Sequence, residues 1–151
     1  MSLNDEVCIL RQVPLLAGAD ILGLKRLAFA SKRLHFEAGE VIFHQGDPGD
    51  CAYLLLNGYV DVLVDGPAGP VRVAEIPERS IIGEIAVLCE GTRTATVRAA
   101  VGLDALRIAR DDLLRLLQQD SAVTLSMLRM MAERLSATTD DLIAARAGLA
   151  R

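Results

Sequence analysis

Tryptophan is absent from this 151-residue sequence, and the remaining aromatic residues, Phe29, Phe36, Phe43, Tyr53 and Tyr59, all lie in the first half. Single-strand nucleic-acid binders stack bases on aromatic platforms, and the second half of this chain has none. Positive charge is not in excess either. With 16 Lys and Arg against 20 Asp and Glu, the formal net charge is −4 and the pI about 5.1. No global positive field draws in a phosphate backbone, so direct nucleic-acid binding is not expected. Cysteines are few and widely spaced (Cys8, Cys51, Cys89), without a CxxC pair, and His35 and His44 are the only imidazoles. That pattern signals neither a disulfide framework nor a zinc site, and no metal or other cofactor is expected. Runs of the roughly 18 apolar residues needed to span a membrane are lacking. Asp5 and Glu6 break any resemblance to a secretory leader. A cytoplasmic protein without membrane contact is the expectation.

What is present is globular material, 52% hydrophobic and 24% charged, long enough for one domain that buries about two-thirds of its unfolded surface. Residues 1–30 read as a helical segment: Val7 and Leu10, then Ile21, Leu24 and Leu27, recur at helical spacing, with breaks at Pro14 and at Ala17-Gly18. From 31 to 109 the pattern changes to short apolar runs, Glu40 to His44, Ala52 to Leu56, Tyr59 to Val64, Val71 to Ile76, Thr94 to Ala99 and Gly102 to Ile108. Turn signals at Gly46, Pro48-Gly49, Asn57-Gly58 and Gly66-Pro67 separate them. About eight strands in a β-sandwich or small barrel follow, with Asn57-Gly58 as the strongest hairpin signal. Residues 110–148 return to helical spacing. Asp111 and Asp112 suit a first turn, and Asp120-Ser121 offers a cap for a last helix reaching about Arg146.

One stretch breaks the strand rhythm, Ile81-Ile-Gly-Glu-Ile-Ala-Val-Leu-Cys-Glu-Gly-Thr-Arg-Thr-Ala-Thr-Val-Arg-Ala99. Gly83 opens one or two helical turns, whose unpaired backbone N–H groups at Glu84, Ile85 and Ala86 form a cradle for one phosphate. Arg93 can return to that cradle with two parallel N–H bonds, assisted by the backbone at Thr94 and Ala95. Glu84 repels a phosphate, but a carboxylate beside an anion site suits a ligand that also offers a hydroxyl, such as a ribose 2′-OH. An Arg93–Glu84 surface salt bridge beside a turn is the competing reading of the same residues.

This segment, 82–99, closely resembles the phosphate-binding cassette of the cyclic nucleotide-binding domain family. It has the Gly83-Glu84 pair, Arg93 nine residues after the Glu, and the small-Ala-Thr-Val tail, with no insertion. Val13-Pro-Leu-Leu-Ala-Gly18, Ala38-Gly-Glu-Val-Ile-Phe43, Gln45-Gly-Asp-Pro-Gly-Asp50 and Leu56-Asn-Gly-Tyr-Val60 also look like that family, in the expected order, and the resemblance covers roughly residues 8 to 145. It implies an α+β fold: an eight-stranded antiparallel, jelly-roll-like β-roll with N-terminal helices, the short phosphate-binding helix and two C-terminal helices. It implies a ligand, cAMP or cGMP, and a sensor rather than an enzyme. Two departures stand out. Pro77-Glu-Arg-Ser-Ile-Ile82 lacks the glycines usual before the cassette and has Ile82 where an aromatic often stands, and Thr92 replaces the proline usual before the Arg.

On the last helix Leu128, Met131, Leu135 and Leu142 share one face, which also carries Thr138, with Thr139 beside it. Mid-helix threonines often bond back to the preceding turn. Glu133-Arg-Leu-Ser-Ala-Thr-Thr139, however, is similar to the stretch of the catabolite activator type in which paired hydroxyl residues on a dimerising helix contact adenine. Met127, Met130 and Met131 read as core or seam. The apolar seam, and the length of the helix beyond what the core of a small barrel needs, both point to a homodimer. The helix-turn-helix that follows in transcription factors of this type has no counterpart in residues 143–151, so the expectation is a sensor fragment, or a protein acting on another polypeptide. A degenerate β-roll serving only dimerisation or docking is the alternative. A cupin-type metal enzyme is disfavoured because His35 and His44 lack a third imidazole.

Overall fold

Burial on both faces of a single strand organises this chain. In β3 (Cys51–Leu55) every residue is buried. Because side chains alternate, Ala52 and Leu54 join one apolar cluster while Cys51, Tyr53 and Leu55 join another. A computed structural model describes residues 3–149. Two four-stranded sheets face each other. The first has the order β1 (Lys32–Phe36), β8 (Leu103–Ala109), β3, β6 (Ile81–Ile82). The second has the order β2 (Val41–Phe43), β7 (Thr96–Ala99), β4 (Tyr59–Gly66), β5 (Gly69–Pro77). All pairings are antiparallel. Val60, Val97, Ala99, Leu103 and Ala105 fill the roll with the inner residues of β3.

The outer face of the first sheet carries the helices. Leu10 of α1 (Leu3–Arg11), Leu24 and Leu27 of α2 (Ile21–Ala30), and Leu113 and Leu116 of α4 (Arg110–Gln119) pack with Leu54, Leu106 and Ile108. Val123 and Met127 bring the start of α5 (Ser121–Leu149) into the same cluster, with Met130 and Met131 partly buried against it. Asp120 caps α5, its Oδ1 accepting from the N–H groups of Ala122 and Val123 at 3.1 and 3.3 Å. Its Oδ2 accepts from the Asp20 N–H at 2.9 Å and so ties this joint to the start of α2. The helix continues through Gly148, three residues past the expected Arg146. No described helix is long and apolar enough to cross a membrane.

The expected hairpin at Asn57-Gly58 is a correction. Both edges of β3 are taken, by β6 and β8, so the turn carries the chain from one sheet to the other. Asn57 instead binds Asp104, donating from Nδ2 to Oδ2 at 3.0 Å and accepting its N–H at 2.9 Å. The hairpin lies one turn later, where Gly66 pairs with Gly69 between β4 and β5. The run expected from Thr94 is strand only from Thr96, which leaves Thr94 and Ala95 outside the ladder.

Candidate functional site

Gly83 joins β6 to α3 (Glu84–Leu88) in the left-handed region, φ 78°. A Cβ there would strike Arg93 Nη1 and come within 3.3 Å of Phe43 Cε2, so conformation and space both require glycine. Beyond α3 the chain turns back sharply, Gly91 N–H donating to Ala86 O at 3.1 Å. The Arg93 backbone then holds the loop after β2: its N–H donates to Asp47 O at 2.8 Å and its carbonyl accepts from Gly46 at 2.9 Å. In the loop before β6, where the sequence lacks glycine, Arg79 itself takes a left-handed φ of 66°. Its Nη1 reaches Ile9 O at 3.5 Å, at the end of α1.

Arg93 is 4% exposed. Nη1 donates to Gly83 O at 3.0 Å and Nη2 to Cys51 O at 2.7 Å, with Cys51 Sγ at 3.4 Å. The guanidinium lies 4.2 Å from the Phe43 ring centroid, and Phe43 stacks in turn on Tyr53 at 6.1 Å. Burial, its largest cause, holds the Tyr53 phenol above its ordinary pKa. Among the described residues no carboxylate pairs with Arg93, and its Nε is buried without a partner. A buried cation left without a counter-ion is costly, so an anion in this site would be favoured by its charge.

The expected alternative, an Arg93–Glu84 bridge, does not form. Glu84, also buried, accepts instead from Arg134 Nη1 of α5 at 2.5 Å. Sequence reasoning passed over Arg134, although it lies one helical turn before Thr138 and so on the same face.

These groups line a cavity of about 530 Å³, within the range of small-molecule sites. Gly83, Glu84, Ile85, Ala86, Arg93, Thr94 and Ala95 form its polar end, Val62, Ile76 and Val97 its apolar wall, and Arg134, Ala137 and Thr138 its α5 side. Thr138 donates to Arg134 O at 2.9 Å, which leaves its oxygen free to accept. Thr139 is not among the lining residues, so of the hydroxyl pair only Thr138 reaches the cavity. Among the described residues no group of three His, Cys, Asp or Glu is placed to hold a metal ion.

Comparisons with known proteins place the chain in a family. The profile of the cyclic nucleotide-binding domain matches residues 33–120, more than half of the chain, and the chain belongs to that family. It is 31% identical over 126 residues to the lysophospholipase nte1 of Aspergillus niger, covering 83% of this chain but 8% of that protein. It is 35% identical over 108 residues to the cAMP-dependent protein kinase regulatory subunit of Emericella nidulans, covering 72% of this chain and 26% of the relative. The chain thus spans a small fraction of the curated relatives it matches. Among solved structures, the regulatory domain of Toxoplasma gondii PKA with cAMP superposes with a TM-score of 0.77 at 26% identity, over 87% of this chain and 50% of that one. The chain is a cyclic nucleotide-binding domain with the β-roll fold.

Proposed function

We propose that this domain senses cAMP and answers by shifting α5. The observation that carries the reading is the buried Arg93 guanidinium facing the cavity without a carboxylate partner. In this reading Arg93 and the N–H groups of Glu84 to Ala86 and of Thr94 and Ala95 hold the cyclic phosphate, and Glu84 accepts from the ribose 2′-OH. Thr138 accepts from the adenine 6-amino group, and Thr139 is left to contacts outside the cavity. Thr94 also lines the cavity, and its hydroxyl supports cGMP as the second reading, because a syn guanine would bring its 2-amino group there. No catalytic step is assigned to the chain. Its effector is another polypeptide segment, in keeping with the lysophospholipase and kinase-regulatory relatives.

The homodimer belongs to the same proposal. Leu128, Leu135 and Leu142 of α5 are 60, 69 and 58% exposed, an apolar face that a second copy would cover. Titration calorimetry with cAMP and cGMP tests the ligand. One hydrogen bond gained or lost in a buried site gives roughly 5- to 150-fold preference. A cAMP preference reduced in Thr138→Ala supports the reading, and a cGMP preference lost in Thr94→Ala supports the second. No heat and no rise in Tm with either nucleotide would leave a docking module. Light scattering with and without nucleotide tests the dimer, and a monomeric mass in both conditions removes it.

A further inference from the structure

The outer side of α2 takes no part in the cavity, and its chemistry differs from the rest of the surface. Phe29 is 84% exposed, the most of any large apolar side chain described, and Leu22, two turns earlier on the same face, is 58% exposed. From Ile21 to Phe36 there is no Asp or Glu, but there are Lys25, Arg26, Lys32 and Arg33, in a chain whose net charge is −4. Arg33 is answered by Asp104 at 3.3 Å. Among the described residues no ion pair engages Lys25, Arg26 or Lys32.

Beside Phe29 a groove of about 250 Å³ runs between α2 and α4. Buried Leu27 and Leu116 form its floor. Gly23 lines it, and a Cβ at that position would stand in ordinary van der Waals contact with Leu116 Cδ1, at 3.6 Å. Exposed Arg26 and Arg115 flank it. Asp112, the one carboxylate at the groove, is neutralised by Arg115 at 3.6 Å. Arg26 and neighbouring Lys25 therefore leave the groove net positive.

A concave slot with an apolar floor suits a side chain projecting from a polypeptide. A bilayer, being flat, would engage Phe29 and leave the slot unused. We propose that the α2–α4 face docks an acidic segment of a partner polypeptide, which places one leucine or aromatic side chain against Leu27, Leu116 and Phe29 and sets carboxylates opposite Lys25 and Arg26. Apolar anchoring supplies affinity, and the charges supply selectivity and rate. The surface is separate from the nucleotide cavity, so it gives the domain an effector contact that does not depend on α5.

Selection of random dodecapeptides displayed on phage against the folded chain tests this whatever the identity of the partner. The expected result is enrichment of acidic peptides carrying a leucine or aromatic residue. Binding of the synthetic peptide should weaken by roughly tenfold or more in Phe29→Ala and in Arg26→Glu. Both side chains are exposed, so Tm and nucleotide affinity should be unchanged in both variants. Three outcomes overturn the proposal: no enrichment, enrichment of neutral or basic peptides, or equal binding by the variants. Phe29-dependent sedimentation with phosphatidylserine-containing vesicles, in place of peptide binding, would assign the face to a lipid surface instead. Failure of nucleotide binding would leave the peptide result standing, because the two readouts use different residues.

Discussion

Arg134 on α5 donates to Glu84 on α3, fifty residues earlier in the chain, and this contact ties the long helix to the cassette. The Glu84 side chain is 4% exposed and that of Arg134 44%. A carboxylate so buried needs a partner, whereas the cation can turn to solvent. A ligand hydroxyl donating to Glu84 would share the carboxylate whose Oε1 holds Arg134. Under the proposed function, the position of α5 and the occupancy of the cavity would be coupled through this carboxylate, and such coupling is reciprocal.

The first expected outcome is energetic coupling between these two residues. Charge-assisted hydrogen bonds contribute about 1.5–3 kcal/mol, and the exposure of Arg134 places this one at or below the lower end. Urea unfolding of Arg134→Ala, Glu84→Gln and the double variant should give a coupling energy of about 1 kcal/mol. A value indistinguishable from zero would sever the link between α5 and α3.

Arg93 should be the residue nucleotide binding can least spare. Truncating one partner of a buried charged pair costs about 2–5 kcal/mol, so Arg93→Ala should weaken binding by roughly 30-fold to several thousand-fold in titration calorimetry. Arg93→Lys keeps the charge but loses the flat, two-pronged donor and its stacking on Phe43. Its affinity should fall between the two. Wild-type affinity in the alanine variant would take the phosphate away from this site.

What the sequence made legible was local. The Gly83-Glu84 pair, the return of Arg93 and the Asp120 cap each depend on residues close in the chain or on a spacing that α3 and its turn enforce. Asn57-Gly58 marks a turn correctly, yet turn chemistry sets backbone angles and not which strands pair. Its hairpin was lost because β6 and β8 fill both edges of β3. Arg134 was missed because its partner lies fifty residues away, a contact that no local rule encodes. Helical spacing placed Thr138 and Thr139 together, but adjacent residues differ by about 100° around a helix, and only one of them faces the cavity.

Two glycines separate backbone strain from site geometry. Gly83 and Gly39 have similar left-handed φ values, 78° and 86°, and alanine at either pays roughly 1–2 kcal/mol for that conformation. A Cβ on Gly39 meets nothing within 4 Å, whereas on Gly83 it meets the Arg93 guanidinium and Phe43. Thermal melts should show Gly39→Ala destabilised by the strain alone with nucleotide affinity intact. Gly83→Ala should lose more stability and most of its affinity, and equal behaviour of the two variants would contradict the packing against Arg93.

The last prediction concerns pH. His35 on β1 faces Asp104 on β8, Nδ1 to Oδ1 2.9 Å, with Glu37 at 3.3 Å from Nε2. The hydrogen bond to Asp104 is the main cause that holds the His35 pKa above its ordinary 6.5. Asp104, bonded first by Asn57 and then by His35, is held below its ordinary 3.8. The His35 contribution is therefore complete below about pH 6.5 and disappears as pH rises through the raised folded-state value. That of Asp104 is complete above about pH 4 and disappears as pH falls through its depressed value. Both operate together only in the window between. The urea midpoint of the unmutated protein should exceed that of His35→Gln most clearly near pH 5.5 and approach it above about pH 8. The difference should be small, because the imidazole is exposed and solvent screens it. A gap that stays constant from pH 5.5 to 8 would show that His35 acts through packing and not through its charge.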